Sequence, residues 1–220
     1  MDKLKFRKGK VMLKYSFIAI LVVFLVSCKP DPLTFTIQGT VHDDTFNQPL
    51  ENGVIEFISY PAGSLTGNLI ESKSLNQNGS FEFEVKREQV EKYELILQND
   101  NYFPEKRTLF FSELKPNEAK QVNLNTTAKS YAKFIVKNQN NPSSSDELKF
   151  LKFSGKTNCD DCCPNQYSFF EGAQINESFT CANDGNTYLS FYYWVNGNDV
   201  FVHDSIQTIA FDTTTYEIIY

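Results

Sequence analysis

The sequence predicts an all-β chain built from antiparallel β-sandwiches, and three observations predict it. Apolar and polar residues alternate with period two in several short segments. Turn dipeptides separate those segments. Beyond residue 27, no stretch of eleven or more residues carries a 3.6-residue apolar period. Asn, Thr, Ser, Phe and Tyr are plentiful and Met and Trp scarce, which suits strands and polar loops.

The elements follow in order. In residues 34–41 (TFTIQGTV), Phe35, Ile37 and Val41 share one face, and Thr34, Thr36, Gln38 and Thr40 the other. Residues 80–86 (SFEFEVK) place Phe81, Phe83 and Val85 inward and Glu82, Glu84 and Lys86 outward. Residues 93–98 group Tyr93, Leu95 and Leu97, and residues 121–124 close the set. Turn signals lie between these runs at Asn52-Gly53, Asn78-Gly79 and Asn99-Asp100-Asn101. Residues 112–120 have room for one helical turn, limited by Pro116. After a short polar join at 126–130, a second set of strands is expected at 131–137, 147–153, 175–182, 187–195 and 216–220, with a loop at 140–146. Tyr93 and residues 122–124 have a faint echo in Tyr188 and residues 217–219 at similar spacing. The echo favours two tandem sandwiches, over residues 34–126 and 127–220. One larger sandwich is the rival arrangement.

Within the first half, the order Ile37-Gln38-Gly39-Thr40-Val41, then 48–54 (QPLENGV), Asn78-Gly79-Ser80-Phe81, Tyr93-Glu94-Leu95 and Asn101-Tyr102-Phe103 resembles the carboxypeptidase regulatory-like domain. That family is common in secreted Bacteroidetes proteins. The resemblance implies a transthyretin-like, seven-stranded sandwich over about residues 34–126, and a non-catalytic structural or interaction role. Gly39 fits a crowded position or a bulge, Gly79 a tight hairpin, and Phe81 and Tyr93 the core.

The start of the chain carries a different signal. Lys3, Lys5, Arg7, Lys8, Lys10 and Lys14 face a single acid, Asp2, and residues 17–26 are unbroken apolar. Ten residues make about 15 Å of helix, half of a bilayer core of about 30 Å. This pattern reads as a secretory signal over residues 1–27. Leu25-Val26-Ser27-Cys28 resembles the lipobox of bacterial lipoproteins. The resemblance implies cleavage after Ser27 and acylation of Cys28 by chains such as palmitate, enough of them for stable anchoring. Residues 28–33 then form a stiff tether through Pro30 and Pro32. Lys29 follows the cysteine; by resemblance to enterobacterial sorting rules this implies the outer membrane, with the periplasmic and outer faces both open.

Of 21 basic residues, six lie in that segment, leaving 15 against 26 of the 27 acids, a net charge near −11. So acidic a body lacks the basic footprint of a nucleic-acid binder. With Cys28 set aside, Cys159, Cys162, Cys163 and Cys181 remain. An even count in an exported protein reads as two disulfides. Direct bonding of the neighbours Cys162 and Cys163 would strain the chain. Two pairings stay open: 159–162 with 163–181, or 159–163 with 162–181. A zinc site usually needs two C-x2-C arms, and only Cys159/Cys162 forms one, so no metal or other cofactor is expected.

Catalytic signals are weak. His203-Asp204-Ser205 holds triad residue types, but consecutive strand residues point to alternate faces. The pairs Asp43-Asp44 and Asp160-Asp161 lack calcium-loop spacing and read as solvated turn acids. No enzyme activity is expected. Residues 188–195 (YLSFYYWV) are the most aromatic stretch: Tyr188, Tyr192 and Trp194 share a face opposite Leu189, Phe191, Tyr193 and Val195. That stripe suits stacking on sugar rings or anchoring a protein. The plainer expectation is that the core covers one face and the other domain covers the second. Ser205 (in Asp204-Ser205-Ile206) and Thr213 (in Asp212-Thr213-Thr214) resemble the Bacteroidetes O-glycosylation motif. The sequence thus predicts a non-catalytic envelope lipoprotein with an unknown protein or glycan partner. The alternative is a glycan-binding accessory of a nutrient-uptake system.

Overall fold

Two β-sandwiches follow one another in the computed structural model, which describes residues 33–197 and 200–220. The expected signal peptide, Cys28 and the tether up to residue 32 lie outside the described residues.

In the first sandwich, β1 (Thr34–Asp43) is central to one sheet. It pairs antiparallel with β2 (Gln48–Pro49) and β5 (Ser80–Lys86), and parallel with β8 (Ala119–Gln121) and β9 (Leu124–Thr126). The facing sheet has the order β4 (Asn68–Ser74), β3 (Val54–Pro61), β6 (Val90–Gln98), β7 (Glu105–Phe110). The alternation read from sequence sets the faces: Phe35, Ile37, Phe81, Phe83 and Val85 are all buried. Rings of Phe83 and Tyr93 stack on Phe57 at 5.3 and 5.0 Å between centroids.

The second sandwich repeats this plan. β10 (Lys129–Lys137) pairs antiparallel with β13 (Asn176–Asp184) and parallel with β16 (Thr213–Ile219). The facing sheet runs β12 (Tyr167–Glu171), β11 (Glu147–Lys152), β14 (Tyr188–Val195), β15 (Phe201–Gln207). Taking β8 and β9 as one interrupted strand, each strand of the first unit except the short β2 has a counterpart with the same neighbours. The echo of Tyr93 in Tyr188 falls on the equivalent strands β6 and β14. Phe134 is the hub of the second core, with the Phe150, Phe179 and Phe191 rings all within 5.1 Å.

Several expectations need correction. Residues 121–124 do not form one strand: β8 ends at Gln121 and β9 begins at Leu124. The break lies beside Gly39, where a Cβ would sit 1.7 Å from the Val122 carbonyl oxygen, so glycine is required for this close approach. The helical turn expected near 112–120 is a short 3₁₀ turn, Phe111–Glu113, that ends before Pro116. Gly79 adopts φ +66° in the hairpin before β5, as expected of its turn.

The joint between the sandwiches is built from specific contacts. Lys156 Nζ, donating to Asp184 at 2.8 Å in the second sandwich, lies 4.4 Å from the Phe103 ring centroid of the first. Phe211 stacks on Phe46 at 5.7 Å and meets Tyr102 edge-on at 5.4 Å. Phe211 has φ +66°, rare for an aromatic residue, and its N–H donates to the Lys129 carbonyl at 2.7 Å. Asp43 is the second acid here. It is not a solvated turn acid but fully buried. Its carboxylate accepts the Thr45 N–H at 2.8 Å and the Tyr102 hydroxyl at 2.7 Å. That carboxylate raises the Tyr102 phenol well above its ordinary value, after burial, which is the larger cause.

Candidate functional site

β-strand register brings side chains from four strands onto the outer face of the β12–β11–β14–β15 sheet. One cross-strand row reads Phe169, Lys149, Trp194, Phe201; the next reads Tyr167, Leu151, Tyr192, His203. Phe153 extends the patch, its ring 5.2 Å from Tyr192. Inward-facing Phe150, Leu189 and Phe191 are buried, so the period-two alternation forces their neighbours outward.

The rings interlock edge to face. Tyr167 meets Trp194 at 5.9 Å and 71°, and Phe201 meets Tyr192 at 5.1 Å and 85°. Tyr192 and His203 are the stacked pair, at 4.6 Å and 26°. Such contacts fix the rings beyond what burial alone provides. Lys149 leans across the patch, its Nζ 3.9 Å from the Tyr167 centroid and 4.9 Å from that of Trp194. The patch is open: Phe169 is 55 % exposed, and Tyr167, Phe153, Phe201 and His203 are also exposed. The plainer expectation, that the other domain covers this face, is therefore not met.

Tyr192 and Trp194, picked out in the sequence, stand in the middle of the patch. Tyr188, their expected companion, is 60 % exposed but opposite Gln207, with no aromatic neighbour among the described contacts. Tyr167, Phe169, Phe153, Phe201 and Lys149 are not marked by any motif in the sequence, and His203 only as a triad residue type. The only available signals were the short alternations Tyr167-Ser168-Phe169 and Phe201-Val202-His203.

The remaining residues are placed as follows. Disulfides join Cys159 to Cys162 and Cys163 to Cys181, one of the two open pairings. Cys181 is fully buried on β13. His203 and Ser205 face outward, while Asp204 turns to accept the Tyr216 hydroxyl, so the three do not assemble as a triad. The hydrogen bond from Tyr216, with one from the Ser205 N–H, holds the Asp204 carboxyl below its ordinary value. Ser205 on β15 and Thr213 on β16 are exposed, and so are Asp160 and Asp161. Among the described residues no cluster of three or more His, Cys, Asp or Glu side chains is placed to hold a metal. An open cleft of about 490 Å³ lies beside the joint, lined by residues including Glu105, Lys129, Lys156 and Asp161. Its Lys156 is already engaged by Asp184.

No family model matches the chain, and no curated protein matches it. Among solved structures it is similar to the shaft pilin SpaA from Lactobacillus rhamnosus GG, at 10 % identity and TM-score 0.35, over 86 % of this chain and 97 % of the pilin. It is similar to the Bacillus anthracis TIE protein at 13 % identity and TM-score 0.37, over 85 % of this chain and 34 % of that one. A hydroxyquinol 1,2-dioxygenase from Pseudomonas putida DLL-E4 matches at 11 % identity and TM-score 0.35, over 46 % of this chain and 58 % of the enzyme. The chain thus spans under two thirds of the dioxygenase and of the TIE protein.

Proposed function

We propose that this protein is a non-catalytic envelope lipoprotein, anchored through Cys28 in the outer membrane, that presents the second sandwich as an interaction module. The observation that carries the reading is the exposed aromatic patch and its position. Thr34 starts β1 at one end of the first sandwich, and Asp43 ends it at the joint. Ten residues of strand span about 33 Å. In this reading, a lipid tether ending at residue 33 enters at the far end of the first sandwich, so that the first sandwich lies between the anchor and the joint. The first sandwich, transthyretin-like by its sequence resemblance, serves as a spacer.

Conversion of Cys28 to Ser tests the anchor. The variant is expected to leave the membrane fraction or to stay unprocessed while folding normally. A Cys28→Ser chain that remains membrane-bound at the mature size contradicts the reading. A second reading is favoured by the make-up of the patch: a glycan-binding accessory of a nutrient-uptake system. Rigid Tyr, Trp and Phe rings offer apolar faces to sugars at little entropy cost.

A further inference from the structure

We infer that the patch on the second sandwich takes an acidic saccharide, whose carboxylate or sulfate meets Lys149 while its ring lies against Trp194 or Tyr167. This rests on the glycan reading of the patch. Three observations carry it.

First, the two cross-strand rows contain no carboxylate, although acids outnumber bases in the chain. Second, Lys149 stands near the centre with no carboxylate within salt-bridge distance and no hydrogen-bond acceptor among the described residues. Six other lysines have a carboxylate partner: Lys73, Lys92, Lys106, Lys115, Lys120 and Lys137, with Lys156 at the joint making a seventh. Third, the direction of the Lys149 side chain is set. Glu147 and Glu171 border the patch, one step beyond Lys149 and Phe169 on the same face. The amine leans the other way, toward Tyr167, which sits one row further from those acids. Two rings hold the ammonium in place, and they use none of its N–H donors in conventional hydrogen bonds. It is a positioned cation with its donors unspent.

The acidic body does not forbid an anionic ligand. Charges further than a Debye length, about 8 Å at physiological ionic strength, are largely screened at an exposed surface. Among the described residues, the acids next to Lys149 in register on this face are Glu147 and Glu171, which favour the anion on the Tyr167 side of Lys149. A neutral sugar would use the rings and at most offer a hydroxyl to the ammonium. An anionic one adds an ion pair to that hydrogen bond.

The test uses the full chain in detergent, with affinity electrophoresis in gels holding one of four polymers. Polygalacturonate and its methyl ester form one pair, dextran sulfate and dextran the other. Retardation by at least one acidic polymer, roughly tenfold stronger than by its neutral counterpart, is expected. Lys149→Gln should remove that preference and leave any neutral binding unchanged, Lys149→Arg should keep it, and Glu147→Gln should strengthen it. Trp194→Ala should abolish binding to both members of the pair. Equal binding of both members, unmoved by Lys149→Gln, overturns the inference about charge and leaves the glycan reading standing. No retardation by any of the four overturns both. Should Lys149→Gln fail to fold, the comparison of acidic with neutral polymer on the unaltered chain still decides.

Discussion

The two sandwiches share strand order yet spend the outer face of the equivalent sheet differently. In the first, β3, β6 and β7 put Tyr60, Glu94, Lys92 and Lys106 outward. Glu94 is 3 % exposed and accepts from the Tyr60 hydroxyl at 2.9 Å and from Lys92 at 2.8 Å, with Lys106 at 3.6 Å. In the second, Lys149 has rings where Lys92 has a glutamate. Burial alone would raise the Glu94 carboxyl, but the bonds from Lys92 and Tyr60 and the Lys106 charge outweigh it and hold it below its ordinary value. One face satisfies its polar groups internally; the other leaves ring faces and an ammonium available. The difference teaches that a shared scaffold does not assign the interaction surface: the side chains that alternation turns outward do.

The comparison can be broken from the inside of the second sandwich. Phe134→Ala removes the hub of four contacting phenylalanines and should cost about 3–5 kcal/mol. Trp194 is the only tryptophan in the chain, so its fluorescence during urea unfolding reads the second sandwich selectively. An unchanged midpoint would contradict the central place given to Phe134. The disulfides come next. Replacing Cys163 and Cys181 together should cost about 3 kcal/mol, because their bridge closes the longer loop. Replacing Cys159 and Cys162 should cost about 2 kcal/mol. The reverse order, measured by the same unfolding curves, would show that loop length does not set the effect.

Smaller effects sharpen the contrast between the faces. Glu94→Gln should lower stability by about 1–2 kcal/mol, since the buried site is built for a carboxylate. The Glu94 value is depressed on folding. Its contribution is therefore complete above the ordinary carboxyl value of 4.5 and is lost as pH falls through the lower folded value. Urea midpoints at pH 7 and pH 3 should thus differ less in the variant than in the parent; equal differences would remove Glu94 from the account. Lys152 lies opposite in kind: it is 2 % exposed on β11 and donates only to the Lys156 carbonyl, at 2.6 Å. Burial lowers its amine from the ordinary value. The unfolded chain therefore holds that proton more tightly, and stability rises with pH between the lowered folded value and the ordinary one. Lys152→Met should raise stability at pH 7 by about 1 kcal/mol. A loss on thermal unfolding would mean that its one hydrogen bond outweighs its desolvation.

The sequence exposed those parts of the fold in which each strand has one wet face. β1, β5 and β14 read cleanly because their outward positions carry polar or aromatic residues distinct from the core set. β3 was not recognised, because Val54 and Ile58 lie outward and blur the period-two pattern. The five-residue β12 gives few alternations, and β15, as long as β5, has six of its seven positions exposed and so shows no apolar period. Asp43 reads as a solvated acid because its partner, Tyr102, is 59 residues away in the chain. The same limit applies to the patch. Tyr192 and Trp194 share one strand and were legible together. Lys149, Tyr167, Phe169, Phe201 and His203 join them only through the pairing of four strands, which local alternation does not specify.

Trp194 offers the most direct measurement of the central claim, that the outer face of the second sandwich is the binding surface. Its emission and its quenching by acrylamide are followed while polygalacturonate or dextran sulfate is titrated into the full chain. The account predicts a shift in emission and protection from quenching that saturate together with binding, and that are weakened by Lys149→Gln. Saturable binding that leaves the Trp194 emission and quenching unchanged would place the ligand elsewhere on the molecule.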